Sequence, residues 1–126
     1  RGLYYVKGND MFLNERYLSN PTMMVKVLRH EGWHAVQDCM AGTIDNTFTA
    51  VVLQDGVVPD WIANGAERTY PEHAVPYEAE AMYAAFSDTM TRDGLKACAG
   101  SKKMWEVYEP TPLTKKWLVE QGFIAK

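Results

Sequence analysis

The sequence predicts a single α+β domain that is mainly helical. Three observations predict it: two short apolar runs around a turn at the N-terminus, a long proline-free stretch after Pro21, and an alanine-rich stretch after Pro76. Hydrophobic residues make up 47% of the 126 residues, a proportion and a length that suit one buried core. No repeat or low-complexity segment divides the chain, so we expect residues 1–126 to form one domain.

Charge and composition exclude several classes of protein. The 13 Lys and Arg residues are outnumbered by 16 Asp and Glu residues, so no basic surface for nucleic acid is implied. The longest uncharged apolar run, residues 48–53, is far shorter than the ~20 residues that span a bilayer. We therefore expect a soluble protein without a nucleic-acid partner or a membrane span. The chain starts with Arg1 rather than Met, which indicates a processed or truncated N-terminus and leaves the compartment open.

The N-terminal residues predict a β-hairpin that leads into a long helix. Residues 3–6 and 11–13 are typical of short strands, and Lys-Gly-Asn-Asp between them is a turn signal. The helix should begin at Pro21, with Asn20 as its N-cap, because the fixed φ of proline suits the first helical position. We expect this helix to run to Met40 and to end at Gly42.

The remainder of the chain predicts shorter elements. An alanine-rich second helix should begin at Pro76 and run to about Met90. Residues 47–53 fit either a strand or an extension of the first helix, because they have no decisive period. We also expect short helices at residues 60–66, around Leu95 and around Leu118, and an extended segment at residues 104–110.

The chain contains two cysteines, Cys39 and Cys98, and neither lies in a CxxC spacing. Two cysteines cannot build a disulfide framework, but they can form one bridge or remain two buried thiols. The sequence leaves both arrangements open.

The long helix carries the pattern His30-Glu31-Gly32-Trp33-His34. Residues four apart lie on one helix face, so both imidazoles can point at one ion, while Glu31 can reach a water beside it. This is the HExxH arrangement of zinc peptidases. The alternative is that His30 and His34 pack within the core and Glu31 is solvated.

Two histidines leave tetrahedral zinc short of a third protein ligand, and the second helix offers carboxylates for it. Glu78 and Glu80 are the candidates. Two residues correspond to about 200° of rotation around a helix, so these two side chains face different sides.

The two helices together resemble the glutamate-type zincins, or gluzincins, whose third ligand comes from a helix downstream of HExxH. In several branches Ala follows the ligand glutamate at the third position and an acidic or amide residue at the fourth. On this pattern the resemblance makes Glu78 the ligand, with Glu80 as the alternative; Ala81 matches, and Met82 departs from it. The departure removes the usual partner that orients a ligand histidine. Segments 29–39 and 108–112 also resemble short zincin-like proteins of cyanobacteria and their phages.

Several other side chains are candidates for supporting roles. His73 could stabilise an oxyanion, although an ordinary exposed loop histidine is the stronger interpretation. Asp38 lies one turn after His34 and could hold an imidazole by a hydrogen bond, or it could be a solvated helix carboxylate. Gln37 has the same two interpretations. Phenolic hydroxyls that could donate to developing charge belong to Tyr70, Tyr77 and Tyr83.

The resemblance implies a zinc-dependent metallopeptidase. A domain of this size can form only a shallow cleft, so we expect its substrate to be a peptide or a protein loop. Zinc would activate a water, and Glu31 would act as general base and then acid. The strand at residues 11–14 would lie beside an extended substrate, as the edge strand of zincins does. The competing hypothesis is a catalytically silent protein that uses the zinc fold as a scaffold, for example in a virion, with residues 105–124 as its partner surface.

Overall fold

The computed structural model describes residues 2–5, 10–40, 51–53, 56–100, 112–120, 122 and 125. Within these ranges the chain forms a two-stranded antiparallel hairpin followed by helices, which confirms the mainly helical α+β prediction. The expected helix end at Gly42, the extended segment 104–110 and much of the proposed partner surface lie outside the described residues.

The hairpin consists of β1 (Leu3–Tyr5) and β2 (Asp10–Phe12), each within one residue of the predicted strand. Leu3 pairs with Phe12. Strand β1 lies against the long helix and buries Tyr4, whereas all three residues of β2 are exposed. The hairpin is therefore attached to the domain through β1.

Helix α1 spans Pro21–Met40, as the sequence predicts. The side-chain oxygen of Asn20 accepts a hydrogen bond from the backbone N–H of Met23 at 3.2 Å, which confirms Asn20 as the N-cap. The C-terminal half of α1 is its most buried part, and Trp33 and Val36 there have no exposed surface. Helix α1 is thus the central element of the core.

The remaining helices are α2 (Asp60–Thr69), α3 (Val75–Ala85), α4 (Met90–Ala99) and α5 (Pro112–Glu120). The short helices expected around Leu95 and Leu118 are confirmed as α4 and α5. Helix α2 extends three residues beyond its predicted end. Residues 51–53, the described part of the ambiguous stretch 47–53, are in neither a helix nor a strand.

The prediction of one helix from Pro76 to Met90 is wrong at its C-terminal end. Helix α3 ends at Ala85, and Met90 begins the next helix. The hydroxyl of Ser87 accepts hydrogen bonds from the backbone N–H groups of Thr89 and Met90 at 3.2 and 3.1 Å. A serine that binds nearby backbone groups competes with the helical hydrogen-bond pattern, so the chain turns here.

Helix α1 packs against α3 on one side and α4 on another, and α2 packs against α3. The main apolar cluster of the described residues combines residues of α1 and α3 with Val52 and one residue of α5, and α4 packs against it through Met90 and Ala97. None of the described helices is both long and apolar enough to cross a membrane. The members of the cluster are Trp33, Val36, Val52, Ala81, Ala84 and Leu118.

Small residues allow α1 and α4 to approach closely. A Cβ atom at Gly32 would lie 2.7 Å from Thr91 Cγ2, and one at Gly94 would lie 2.8 Å from a Val36 methyl. Thr91 Oγ1 also donates a 2.7 Å hydrogen bond to the Arg29 carbonyl. A disulfide between Cys39 and Cys98, with Cα atoms 6.2 Å apart, joins the ends of the same two helices. It settles the choice between a bridge and two thiols.

We expect Gly32→Ala to lower the free energy of unfolding by about 1–2 kcal/mol, because its new methyl group meets the Thr91 methyl. Thr91→Ser removes that methyl and keeps the hydroxyl, so the double variant should regain the loss. Gly65→Ala is the matched control, since its nearest neighbour would lie at an ordinary 3.5 Å. Urea denaturation measures the free energy of unfolding of the wild type, the two glycine variants and the double variant. A Gly32→Ala protein as stable as wild type would contradict the close approach.

Candidate metal centre

The packing of α3 on α1 brings three candidate ligands together. His30 and His34 lie one turn apart on α1, and Glu78 lies in the first turn of α3. His34 Nε2 is 2.6 Å from Glu78 Oε1, and His30 Nε2 is 3.3 Å from Glu78 Oε2. One ligand atom from each of the three residues lies within 4.8 Å of the other two. These side chains could therefore hold one metal ion.

Glu78 and His34 shift each other's proton affinity. Burial alone raises the pKa of Glu78, but the hydrogen bonds and charges of His30 and His34 outweigh it and hold that pKa well below its ordinary value. Burial lowers the pKa of His34, and the hydrogen bond and charge of Glu78 reverse this and raise it. Glu78 and His34 thus each favour the charged form of the other.

Glu31 lies beside this group without belonging to it. The residue is 5% exposed, and its Oε1 is 3.9 Å from His30 Nε2. The backbone of the N-terminal segment covers its stem closely, because a Cβ atom at Gly2 would lie 2.7 Å from Glu31 Cγ. Glu31 is therefore held between α1 and the start of β1.

Gln37 orients the imidazole of His34 from the next turn of α1. Its Nε2 donates to the Tyr77 carbonyl at 3.1 Å and to Glu80 Oε1 at 2.9 Å. Because both of these partners only accept, the amide oxygen must face His34 Nδ1, which lies 2.8 Å away. His34 therefore carries a proton on Nδ1 and presents Nε2 to Glu78.

Glu80, the alternative ligand, lies in the core and not with the imidazoles. Its carboxylate accepts from Trp33 Nε1 at 3.1 Å, from Gln37 Nε2, and from the backbone N–H groups of Val52 and Leu53 at 3.1 and 2.7 Å. Burial raises its pKa, although these four donors favour the ionised form. All of its described hydrogen bonds are structural, and it is 2% exposed.

Asp38 does not hold an imidazole among the described contacts. Its Oδ2 accepts a 2.7 Å hydrogen bond from the Tyr4 hydroxyl, so it fastens β1 to α1 instead. Burial raises the pKa of Asp38, and the hydrogen bond from Tyr4 offsets only part of this. Burial also raises the pKa of the Tyr4 phenol, and its contact with Asp38 raises this pKa further.

A cavity of about 510 Å³ opens over the three candidate ligands and Glu31. Tyr70 lines it, whereas Tyr77, Tyr83 and His73 are not among the described residues that do. His73 is exposed on the 3-10 turn Glu72–Ala74, and Tyr77 contributes its carbonyl to Gln37.

The strand beside the cavity is β1, and not the strand that the resemblance implies. Gly2, Leu3 and Tyr4 line the cavity, while Met11 of β2 lies in a separate groove next to α4. The reason is that β1 is the strand that packs on α1. Sequence reasoning also missed Lys26, whose position four residues before His30 places it on the same helix face.

In metal-free protein we expect the pKa of His34 to lie above its ordinary 6.5 and to fall in the Gln37→Leu variant, which loses an acceptor for Nδ1–H. A histidine whose pKa is higher in the folded than in the unfolded protein stabilises the fold. This stabilisation is complete at pH values below the pKa of the unfolded state, and it is lost as the pH rises through the pKa of the folded state. NMR titration of the imidazole measures the shift. Trp33→Phe is the control, because it removes another donor to Glu80 without touching His34. An equal pKa in Gln37→Leu and wild type would contradict the orienting bond.

No protein-family model, curated protein or solved structure matches this chain. The geometry of the centre, together with the HExxH spacing, is therefore the basis for assigning a function.

Proposed function

We propose that this protein is a zinc-dependent hydrolase of peptide bonds, in which His30, His34 and Glu78 bind zinc and Glu31 is the general base. The observation that carries the proposal is the convergence of three ligand side chains beside a separate buried carboxylate, all at one cavity. Neither the helix pattern alone nor the cavity alone would support it.

The donor set fits zinc. Two imidazole nitrogens and one carboxylate oxygen are ligands that zinc takes in catalytic sites, where a fourth position is left for water. Neighbouring ligand atoms around tetrahedral zinc are roughly 3.3 Å apart, given zinc–ligand distances of about 2.0–2.1 Å. The separations of 2.6 and 3.3 Å from Glu78 to the imidazoles require only small movements to reach that geometry. The cavity borders all three ligands, which leaves a side for substrate.

The residues of the chain then have distinct tasks. Zinc bound here would lower the pKa of a coordinated water toward ~7 and polarise the scissile carbonyl. The Glu31 carboxylate would accept a proton from a water held there and would pass it to the leaving amine. Gln37 keeps the proton of His34 on Nδ1, so Nε2 is the nitrogen that binds metal. Thus an amide on α1 does the orienting that Met82 cannot do.

The competing hypothesis is a silent zinc scaffold that binds a partner through residues 105–124. It requires no access to the ligands, whereas the cavity reaches all three of them and Glu31. That access favours the hydrolase. Zinc binding without any hydrolysis would favour the scaffold.

We expect Glu31→Gln to keep one equivalent of zinc and to lose peptide hydrolysis by a factor on the order of 10²–10⁴, since the amide cannot accept the proton. Metal analysis and cleavage of a fluorescently labelled unfolded protein measure the two properties. Full activity in Glu31→Gln would rule out Glu31 as the base. A zinc-loaded wild type that cleaves nothing would contradict the hydrolase proposal itself.

We expect Glu78→Gln to weaken zinc binding and Glu80→Gln to weaken the fold. Glu78→Gln removes a ligand, so zinc affinity should fall by more than the roughly 10–100-fold typical of losing a supporting hydrogen bond. Glu80→Gln places an NH₂ group against the backbone donors and should lower the free energy of unfolding by about 1–3 kcal/mol. Calorimetric zinc titration and urea denaturation separate the two. Weaker zinc binding in Glu80→Gln alone would reverse the ligand assignment.

A further inference from the structure

Lys26 lies on the wall of the cavity without an acidic partner among the described residues. It precedes His30 by one helical turn on α1, and both residues line the cavity. The ion pairs that the described residues form involve His30, His34 and Arg92 but not Lys26. A half-buried ammonium with no carboxylate beside it gains no ion pair in the folded protein. Its charge is therefore available to a bound ligand.

An exposed aromatic pair lies against this ammonium. The Lys26 nitrogen lies 4.8 Å from the centre of the Phe86 ring, and Phe86 packs edge to face on Trp61 with ring centres 5.5 Å apart. Both rings are more than half exposed. A cation–π contact fixes the position of an ammonium without neutralising its charge. The Phe86 ring therefore helps to position the end of Lys26.

The charges along the cavity differ between its two ends. Among the described residues that line the cavity, Glu31 and Glu78 carry negative charge beside the histidines, and Lys26 lies one helical turn before His30 with a positive charge. Four residues of helix rise about 6 Å, and a lysine stem that leans toward the helix N-terminus adds several more. An extended peptide covers roughly 3.3 Å per residue, so this distance corresponds to two or three residues of substrate.

We propose that Lys26 binds a carboxylate of the peptide substrate two or three residues from the scissile bond. Phe86 and Trp61 position its ammonium for this contact. The inference rests on the proposed peptidase function and names its substrate class: peptides with an acidic side chain or a free C-terminus at that place. The Lys26 ammonium can donate three hydrogen bonds to either kind of carboxylate.

Two pairs of peptide hydroxamates, each anchored on zinc by the hydroxamate, test the proposal. One pair ends in a carboxylate or a carboxamide two residues from the anchor. The other pair carries Asp or Asn at that place and is amidated at its C-terminus. With zinc-loaded wild-type protein, we expect the carboxylate member of at least one pair to bind about tenfold more tightly than its neutral counterpart. The pair that shows the difference identifies the source of the carboxylate.

Variants then assign the preference to Lys26. Lys26→Met should abolish it, and Lys26→Arg should keep most of it because the charge is retained. Phe86→Leu should reduce it to about threefold, since the ammonium loses its support. Lys96→Met, which removes an exposed charge from α4, is the matched control and should leave the preference unchanged.

The outcomes separate this inference from the proposed function. If all four hydroxamates bind zinc-loaded protein but neither pair shows a preference, the role of Lys26 is wrong and the zinc centre stands. A preference that persists in Lys26→Met also overturns it. If no hydroxamate binds, the zinc centre fails, and this inference fails with it.

Discussion

The candidate metal centre depends on the hydrogen bonds that the buried carboxylate of Glu80 accepts. It accepts hydrogen bonds from two side chains of α1, Trp33 and Gln37, and from the backbone at Val52 and Leu53. A buried carboxylate is stable only when such donors replace its water, so these contacts fix how α3 lies on α1. Glu78 is two residues earlier on α3, on a different side of the helix, and thereby meets the imidazoles. The hydrogen bonds of Glu80 thus position Glu78, the proposed zinc ligand.

The five residues of the HExxH pattern divide their work around the helix. His30, Glu31 and His34 face the cavity. Gly32 faces α4, where any side chain would meet Thr91, and Trp33 fills the core and donates to Glu80. The two residues that the motif leaves unspecified therefore make the packing that keeps α1 in position. Helix α1 thus supplies both core residues and two of the three candidate ligands.

Local features of the sequence were sufficient where local contacts decide the structure. Asn20 caps α1 through a bond to Met23, three residues away, and the hairpin follows from two apolar runs and a turn. The spacing of the motif also placed both histidines on one face. The break between α3 and α4 was missed because the alanine-rich pattern continues to Ala85, although Ser87 is a capping residue that could have signalled it.

The other differences arise from contacts between distant parts of the chain. The resemblance favours Glu78 as the ligand and leaves Glu80 open, because only the position of α3 on α1 decides which carboxylate meets the imidazoles. Likewise, β1 and β2 are similar strands, and only the packing of Tyr4 against Asp38 decides which of them borders the cavity. The pairing of Cys39 with Cys98 depends on the α1–α4 contact. The zinc and peptidase assignments stay predictions, because they concern a metal ion and a substrate and not contacts within the chain.

The Cys39–Cys98 disulfide has a practical consequence for anyone who handles this protein. It ties the end of the helix that carries both imidazoles to α4, across a sequence separation of 59 residues. Disulfides persist in oxidising surroundings and open in reducing ones. A thiol reductant in the purification buffer would loosen this helix and also compete for zinc through its own thiolates. Metal content is therefore informative only for protein prepared without such reagents, and its loss in their presence would say nothing about the ligands.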